Sequence, residues 1–368
     1  MGSDKWNLSN NDISKVLEKI KQQPLKVKDV FAKIFQGLKT GKDDVFLLKG
    51  KIENNIFIGF SDLLNEEIFI EEEMVQPLLK GDDIDRYKYL SNSYFIFFPY
   101  EVVNGKAKPL TEKTIKEEYP KSFAYLQKNS TELRAREKHK FDNQNEWFLY
   151  SRNQGLNNFN QEKIVFQEMG YKSKMTLDTT GYCVIRQYSM IKKLNILESY
   201  KFYLSIFNSS LMWFFIKNTS AELRGGYFMY QTKYLEPFPL PKLDNLEQQE
   251  PFIQKADFML ELNKKLQETK QNFYDELKLE KLTNKLQKFE ALELDDFIKE
   301  YTKSKKIKFA DKLEERNFKN DWKALFENDK KEVLEIQNQI NITDKEIDQM
   351  VYKLYDLTED EIKIVEGV

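Results

Sequence analysis

Residues 199–241 decide the fold. They read Ser199-Tyr-Lys-Phe-Tyr-Leu-Ser-Ile-Phe-Asn-Ser-Ser-Leu-Met-Trp-Phe-Phe-Ile216, then pass Arg224-Gly225-Gly226-Tyr227 and end at Phe238-Pro239-Leu240-Pro241. Tyr203, Ile206, Phe207, Leu211, Phe214 and Phe215 recur at steps of three and four, which predicts a buried helix. The apolar run is too short, and too polar at Asn208-Ser209-Ser210, to supply the about 20 residues of a membrane span. Gly225-Gly226 permits a left-handed backbone or a close approach to another surface. Tyr227-Phe228-Met229-Tyr230 has the aromatic content of a short strand. Pro239 and Pro241 stop regular structure, and the composition changes beyond them. The stretch reads as the closing core of one domain and the hinge to the next.

Outward from there, length and composition set bounds. The 368 residues suggest two or three domains, and 40% hydrophobic content with 14% aromatic is ample for a large core. A single cysteine, Cys183, excludes an intramolecular disulfide framework and fits a reducing, cytoplasmic setting. A single histidine, His139, excludes a His-rich metal site. Neither a secretory leader nor a membrane span is read. Met1-Gly2-Ser3 resembles a cloning remnant, which suggests a piece of something longer. The net charge of −2 argues against a uniformly basic nucleic-acid binder, yet it conceals a split. Positions 52–79 carry acidic residues and no Lys or Arg, whereas 121–192 carry a basic surplus. One basic face suffices to grip phosphate.

In chain order, Ile13, Val16, Leu17 and Ile20 mark an amphipathic helix that Pro24 ends. Gly37-Leu38-Lys39-Thr40-Gly41 is a glycine-bracketed loop before an expected strand at 45–48. A phosphate-binding loop is the competing reading, but the Gly-Lys-Ser/Thr ending is missing. Further strands are expected at 55–60, 68–70, 93–98, 147–150 and 163–166, and helices over 111–140. The apolar run at 94–100 predicts a central strand. Strands mixed with scattered helices predict an α+β fold. After Pro241, Phe252, Ala256, Met259, Leu262 and Leu266, then Leu282, Leu286 and Phe289, predict a long-helix bundle or coiled coil. Thr343 and Thr358, each with a glutamate three residues on, predict two capped helix starts. The expected domains are a lead-in at 1–24, an α+β domain at 25–242 and a helical domain at 243–368.

Together, the Asn-Ser-Ser helix, the Gly-Gly loop, the aromatic strand and the proline-marked exit resemble the C-terminal specificity domain of Taq-type adenine DNA methyltransferases. That domain also occurs in type IIG restriction-modification enzymes and is similar to the halves of type I specificity subunits. Gly37-Leu38-Lys39-Thr40-Gly41 matches the Gly-x-x-Thr-Gly opening of this family. Gln76-Pro77-Leu78-Leu79-Lys80-Gly81 and the Val351-Tyr352-Lys353-Leu354-Tyr355 tail are also similar to family pieces. The likeness covers roughly 25–241 and 342–366. A type I subunit would repeat the unit, and no repeat is present.

Catalysis in this chain is not expected. The Asn-Pro-Pro-Tyr/Phe loop of an adenine methyltransferase is absent, and Phe98-Pro99-Tyr100 lacks the asparagine. Asp43-Asp44 with Glu53 or Glu101 lacks the Pro-Asp of a metal-dependent nuclease. A Ser-His-Asp arrangement would have to use His139, which sits in an exposed basic stretch. Recognition remains. Arg, Lys, Asn and Gln read base edges while phosphate contacts position the protein. Arg134, Arg136, Lys138 and Lys140 form one candidate stretch, whose other reading is a solvated helix face. Arg152, Asn153 and Gln154 follow an apolar run and form a second. Arg224, Tyr227 and Gln231 surround the double glycine, a loop that could equally serve packing. Lys172, Lys174, Arg186 and Gln187 are weaker candidates.

What the resemblance implies is a double-stranded DNA reader that presents an adenine to a methyltransferase domain, in cis or in trans. The parent enzyme would use S-adenosylmethionine and, if it cuts, Mg²⁺, and the chain itself would hold neither. No membrane partner is implied. The alternatives are the specificity module of a nuclease-free phage-defence methyltransferase and a helical protein-interaction scaffold that does not touch DNA.

Overall fold

The computed structural model describes residues 10–142, 145–153 and 155–367. It divides into two compact units, one holding the chain up to Glu250 together with the chain from Val351, the other Pro251–Met350. The fold is α+β with mixed sheets. The first unit extends past the expected boundary at 242, and the C-terminal tail returns to it rather than staying with the helical segment.

Two four-stranded sheets organise the first unit. One has the order Met175–Asp178, Lys163–Phe166, Tyr188–Lys192, Phe31–Gln36, antiparallel throughout. The other has the order Cys183–Val184, Val75–Leu79, Tyr94–Phe97, Leu47–Leu48, and its first pair is parallel. Tyr94–Phe97 is therefore central, as its unbroken apolar run predicts. A three-stranded meander, Gly50–Glu53, Ile56–Ser61 and Glu66–Glu71, turns through Asn54 and Asn55, both at positive φ. Asparagine tolerates that conformation better than most residues, which suits a tight hairpin. Leu25–Lys26 pairs with Pro239–Leu240, so the two ends of the α+β region meet.

Several expectations need correction. The helix predicted over the run 199–216 is two helices, Tyr200–Phe207 and Ser210–Thr219, capped by the hydroxyls of Ser199 and Ser209. Asn208 sits at the break, almost fully buried. Its side-chain oxygen accepts from Met175 N–H at 3.1 Å and its amide donates to Met175 C=O at 2.9 Å. The Asn-Ser-Ser interruption is thus a strand-end clamp followed by an N-cap. Residues 43–46 form a helical turn, Asp43–Phe46, and only Leu47–Leu48 is strand. Residues 147–150 are turn and not strand, although all four are buried. Their hydrophobicity reflects a passage through the core, where Tyr150 donates to Phe97 C=O at 2.6 Å and its N–H donates to the Tyr100 hydroxyl at 3.1 Å.

At the C-terminus one of the two capping predictions holds. Thr358 accepts from Glu361 N–H, and Glu361 accepts from Thr358 N–H at 2.7 Å, a reciprocal capping box. Thr343 lies inside the long helix Lys312–Leu354 and caps nothing. Helix Glu359–Glu366 packs beside Ser210–Thr219 and the first helix, Asn10–Lys21. Lys19 pairs with Glu361 at 2.6 Å, and buried Tyr355 donates to Pro239 C=O at 2.7 Å. Within the second unit, helices Glu250–Leu277, Leu294–Lys305 and Lys312–Leu354 enclose an aromatic core. Phe273 stacks on Phe289 at 3.9 Å and Phe297 on Phe326 at 4.7 Å. No helix among the described residues is long and apolar enough to cross a membrane.

Candidate nucleic-acid interface

The Gly37–Gly41 loop crosses between two backbone segments. Leu38 N–H donates to Val184 C=O at 2.8 Å on one side, and Lys39 exchanges bonds with Arg152 on the other, at 3.2 and 3.0 Å. A Cβ at position 37 would lie 2.2 Å from the Val184 carbonyl oxygen, so only glycine fits. Gly41 has φ +78° and would meet Ser151. The Thr40 hydroxyl donates to Asp43 at 2.6 Å. The Gly-x-x-Thr-Gly pattern is therefore a strand-crossing device, and its amides are largely engaged within the fold, unlike those of a phosphate cradle.

Beside this crossing opens a cleft of about 560 Å³. Its basic side is Lys39, Lys42, Arg152 and Arg186, and its acidic side Asp43, Asp44 and Glu137. Lys42 pairs with Glu132 at 2.8 Å, and Arg186 donates to Asp43. Lys39 and Arg152 enter no ion pair among the described residues and point two cations at solvent. Asn153 is exposed next to Arg152, while Gln154 lies outside the described residues. The two oxygens of the Asp43 carboxylate are thus occupied by Thr40 and Arg186. No group of three or more His, Cys, Asp or Glu among the described residues is placed to hold a metal.

The loop bearing Arg152 is fixed from below. Lys163, fully buried, donates to Phe159 C=O just past this loop and pairs with buried Asp178. Asp178 also accepts the N–H groups of Thr180, Gly181 and Tyr182 at 2.9 to 3.0 Å. Burial pushes the Lys163 ammonium pKa down, and the adjacent carboxylate opposes that fall.

The 134–140 stretch divides. Arg136 is buried, contrary to its expected place on a solvent-facing surface. It donates to the carbonyls of Leu133, Thr40 and Trp147 at 2.8, 2.6 and 2.6 Å and lies over the rings of Phe141 and Phe46. Burial lowers its pKa to about 10. Its role is to tie this stretch to the Gly37–Gly41 loop. Arg134 donates to Asp142 C=O at 2.8 Å and covers Trp147. Of the four candidate cations Lys138 and Lys140 are the exposed ones, and Lys140 lies 3.9 Å from Glu137. Glu137, Lys138 and His139 all have positive φ, at a cost of roughly 1–2 kcal/mol each for residues with a Cβ. A strained turn thus borders the cleft, held by Arg136.

A row of amides and one carboxylate leads away from the cleft. Gln36 donates to Arg186 C=O at 3.0 Å and to Glu168 at 3.5 Å. Gln231 donates to the other Glu168 oxygen at 2.9 Å, and Glu168 N–H donates to Gln187 at 2.9 Å. Gln36 and Glu168 carried no distinctive signal in the sequence, because their roles come from pairing of distant strands. At the far end stands a small ribbon, Met169–Gly170, Tyr227–Met229 and Glu222–Leu223. Exposed Arg224 lies in its turn, Tyr227 on its strand and exposed Lys172 just beyond. Lys174 pairs with Asp85 at 2.9 Å and stands apart from the row.

Comparison with known proteins agrees with this architecture. The TaqI-like C-terminal specificity domain family matches residues 76–240, and a domain family of unknown function matches 245–351. The type II restriction enzyme and methyltransferase RM.Eco57I of Escherichia coli is 26% identical over 267 residues, covering 66% of this chain and 26% of that protein. The chain therefore spans about a quarter of the length of that relative. The type IIL restriction-modification enzyme MmeI, solved in complex with DNA, aligns with a TM-score of 0.42 at 12% identity, over 66% of this chain and 29% of that one. The resemblance read from the Asn-Ser-Ser helix, the Gly-Gly loop and the proline exit thus holds where the TaqI-like C-terminal specificity domain family matches, over residues 76–240.

Proposed function

We propose that this chain reads a short DNA sequence for a restriction-modification enzyme and sets a target adenine before a methyltransferase domain supplied by the rest of that enzyme. The observation that carries the reading is one surface joining Lys39, Arg152 and Arg186 to the Gln36–Glu168–Gln231 row. Lys39 and Arg152, cations without carboxylate partners among the described residues, suit phosphates, and fixed amides suit base edges. The adjoining strained turn and the Lys163–Asp178 anchor hold such groups in place, which favours specificity over adaptable binding. The kinship with an enzyme named as both restriction enzyme and methyltransferase supports the assignment of chemistry to the rest of the parent. S-adenosylmethionine and Mg²⁺ belong to that parent in this reading, and the setting is cytoplasmic.

Selection of bound duplexes from a randomised DNA pool at low salt tests it. Enrichment of one short motif is the expected result. Binding without any motif would reduce the chain to a phosphate-gripping module, and no binding would contradict the reading.

A further inference from the structure

The outer side of the Tyr227–Met229 ribbon is not needed to hold the fold. Phe228 turns inward, buried against Trp213 with ring centres 5.4 Å apart. Strand alternation sends Tyr227 and Met229 the other way. Across from them Met169 is 41% exposed and Tyr171 52% exposed, and the Tyr171 and Tyr227 rings lie 3.9 Å apart, tilted by 39°. The turn above these rings is Arg224-Gly225-Gly226, with φ of +89° and +80° at the glycines. A Cβ at 226 would stand 3.7 Å from Tyr171, and one at 225 would stand 3.8 Å from Tyr227. Glycine therefore lets the turn lie against the ring edges while adding no side chain to cover them.

We infer that the Tyr171–Tyr227 pair is a stacking surface for a DNA base, engaged when the chain binds duplex. The inference rests on the DNA-reading function proposed above and adds a specific contact to it. Three observations select a base over an apolar protein partner. The pair adjoins Gln231 and Glu168, so it continues the polar row and does not open an isolated greasy patch. Lys172 and Arg224, both exposed, flank the rings and suit phosphates on either side of a stacked nucleotide. Two tyrosines offer flat faces with polar tips, which suits a partly wet site. Aromatic side chains at DNA interfaces either receive an unstacked base or wedge into a base step, and neither needs base-specific hydrogen bonds.

The test uses the full chain and the duplex enriched by selection, with 2-aminopurine replacing successive adenines. Wild type should brighten the probe at one position, reporting local unstacking. The Y171F/Y227F variant keeps the rings and should behave as wild type. The Y171A/Y227A variant should lose the fluorescence rise and bind roughly 5- to 150-fold more weakly. A wild-type complex that leaves every probe position dark overturns the inference while the recognition reading stands. So does alanine-variant binding equal to wild type. If the alanine variant fails to fold, by its thermal melt, the wild-type and phenylalanine probe signals still decide. A wild-type chain that binds no duplex overturns the inference and the recognition reading together.

Discussion

Asn208 and Arg136 show how little a residue type alone reveals of its task. Both are polar, and both are buried in the first unit. Asn208 stands in for a missing strand partner, satisfying both the N–H and the C=O of Met175. Asn208→Ala leaves the buried Met175 N–H unpaired, while the Met175 C=O keeps the N–H of Tyr87 at 3.0 Å, and urea unfolding should report a loss of about 1–3 kcal/mol. Arg136 closes three carbonyls from three segments, so Arg136→Ala should cost at least about 3 kcal/mol and loosen the cleft rim. Arg136→Lys should recover only part of that, because an ammonium lacks the planar fork. These losses appear as stability. By contrast, Arg152→Ala should leave the urea midpoint unchanged, because only the Arg152 backbone is engaged by the fold.

Elements were legible where local pattern and tertiary role agree. The strands Tyr94–Phe97, Lys163–Phe166 and Tyr227–Met229 and the Thr358 capping box follow from side-chain pattern and cap chemistry. The failures share a cause. Residues 147–150 look like a strand because every side chain is apolar, yet they are apolar because the turn runs through the core. Likewise 199–216 has one helical period, but the first helix ends at Asn208, whose side chain bonds the Met175 backbone. Thr343 and Glu346 have cap spacing inside a helix that tertiary packing carries straight through. The candidate site was half legible. Arg152 and Arg186 were recognisable as exposed cations, whereas Lys39 was read only as part of a loop. Gln36 and Glu168 were invisible, since their meeting depends on pairing between residues more than a hundred positions apart.

On the scale of the molecule, the C-terminal tail is part of the first unit. Tyr355 on Pro239 and Lys19 on Glu361 fasten it over the proline exit. Truncation before Val351 would therefore damage the specificity domain and not merely shorten a spacer. The same burial sets a pH limit. Tyr150, Tyr230 and Tyr355 have phenol pKa values raised by burial, so the folded state favours their neutral form. Stability from these groups is fully present below the unfolded phenol value of about 10 and is lost as pH rises beyond it. Thermal melts should be level in mildly alkaline buffer and fall steeply above about pH 10. A flat profile into strong alkali would contradict the burial of these rings.

The proposed DNA-reading function puts the face bearing Lys39 and Arg152 against DNA. Affinity for the selected duplex against salt, measured for K39A/R152A and for K308A/K312A, tests it most directly. Both variants remove two exposed or half-exposed cations, the first pair from the cleft and the second from the helical unit. K39A/R152A should bind more weakly at every salt concentration, and its salt slope should fall by about 2. K308A/K312A should behave as wild type. The reverse pattern would place the DNA on the helical unit and overturn the proposed interface.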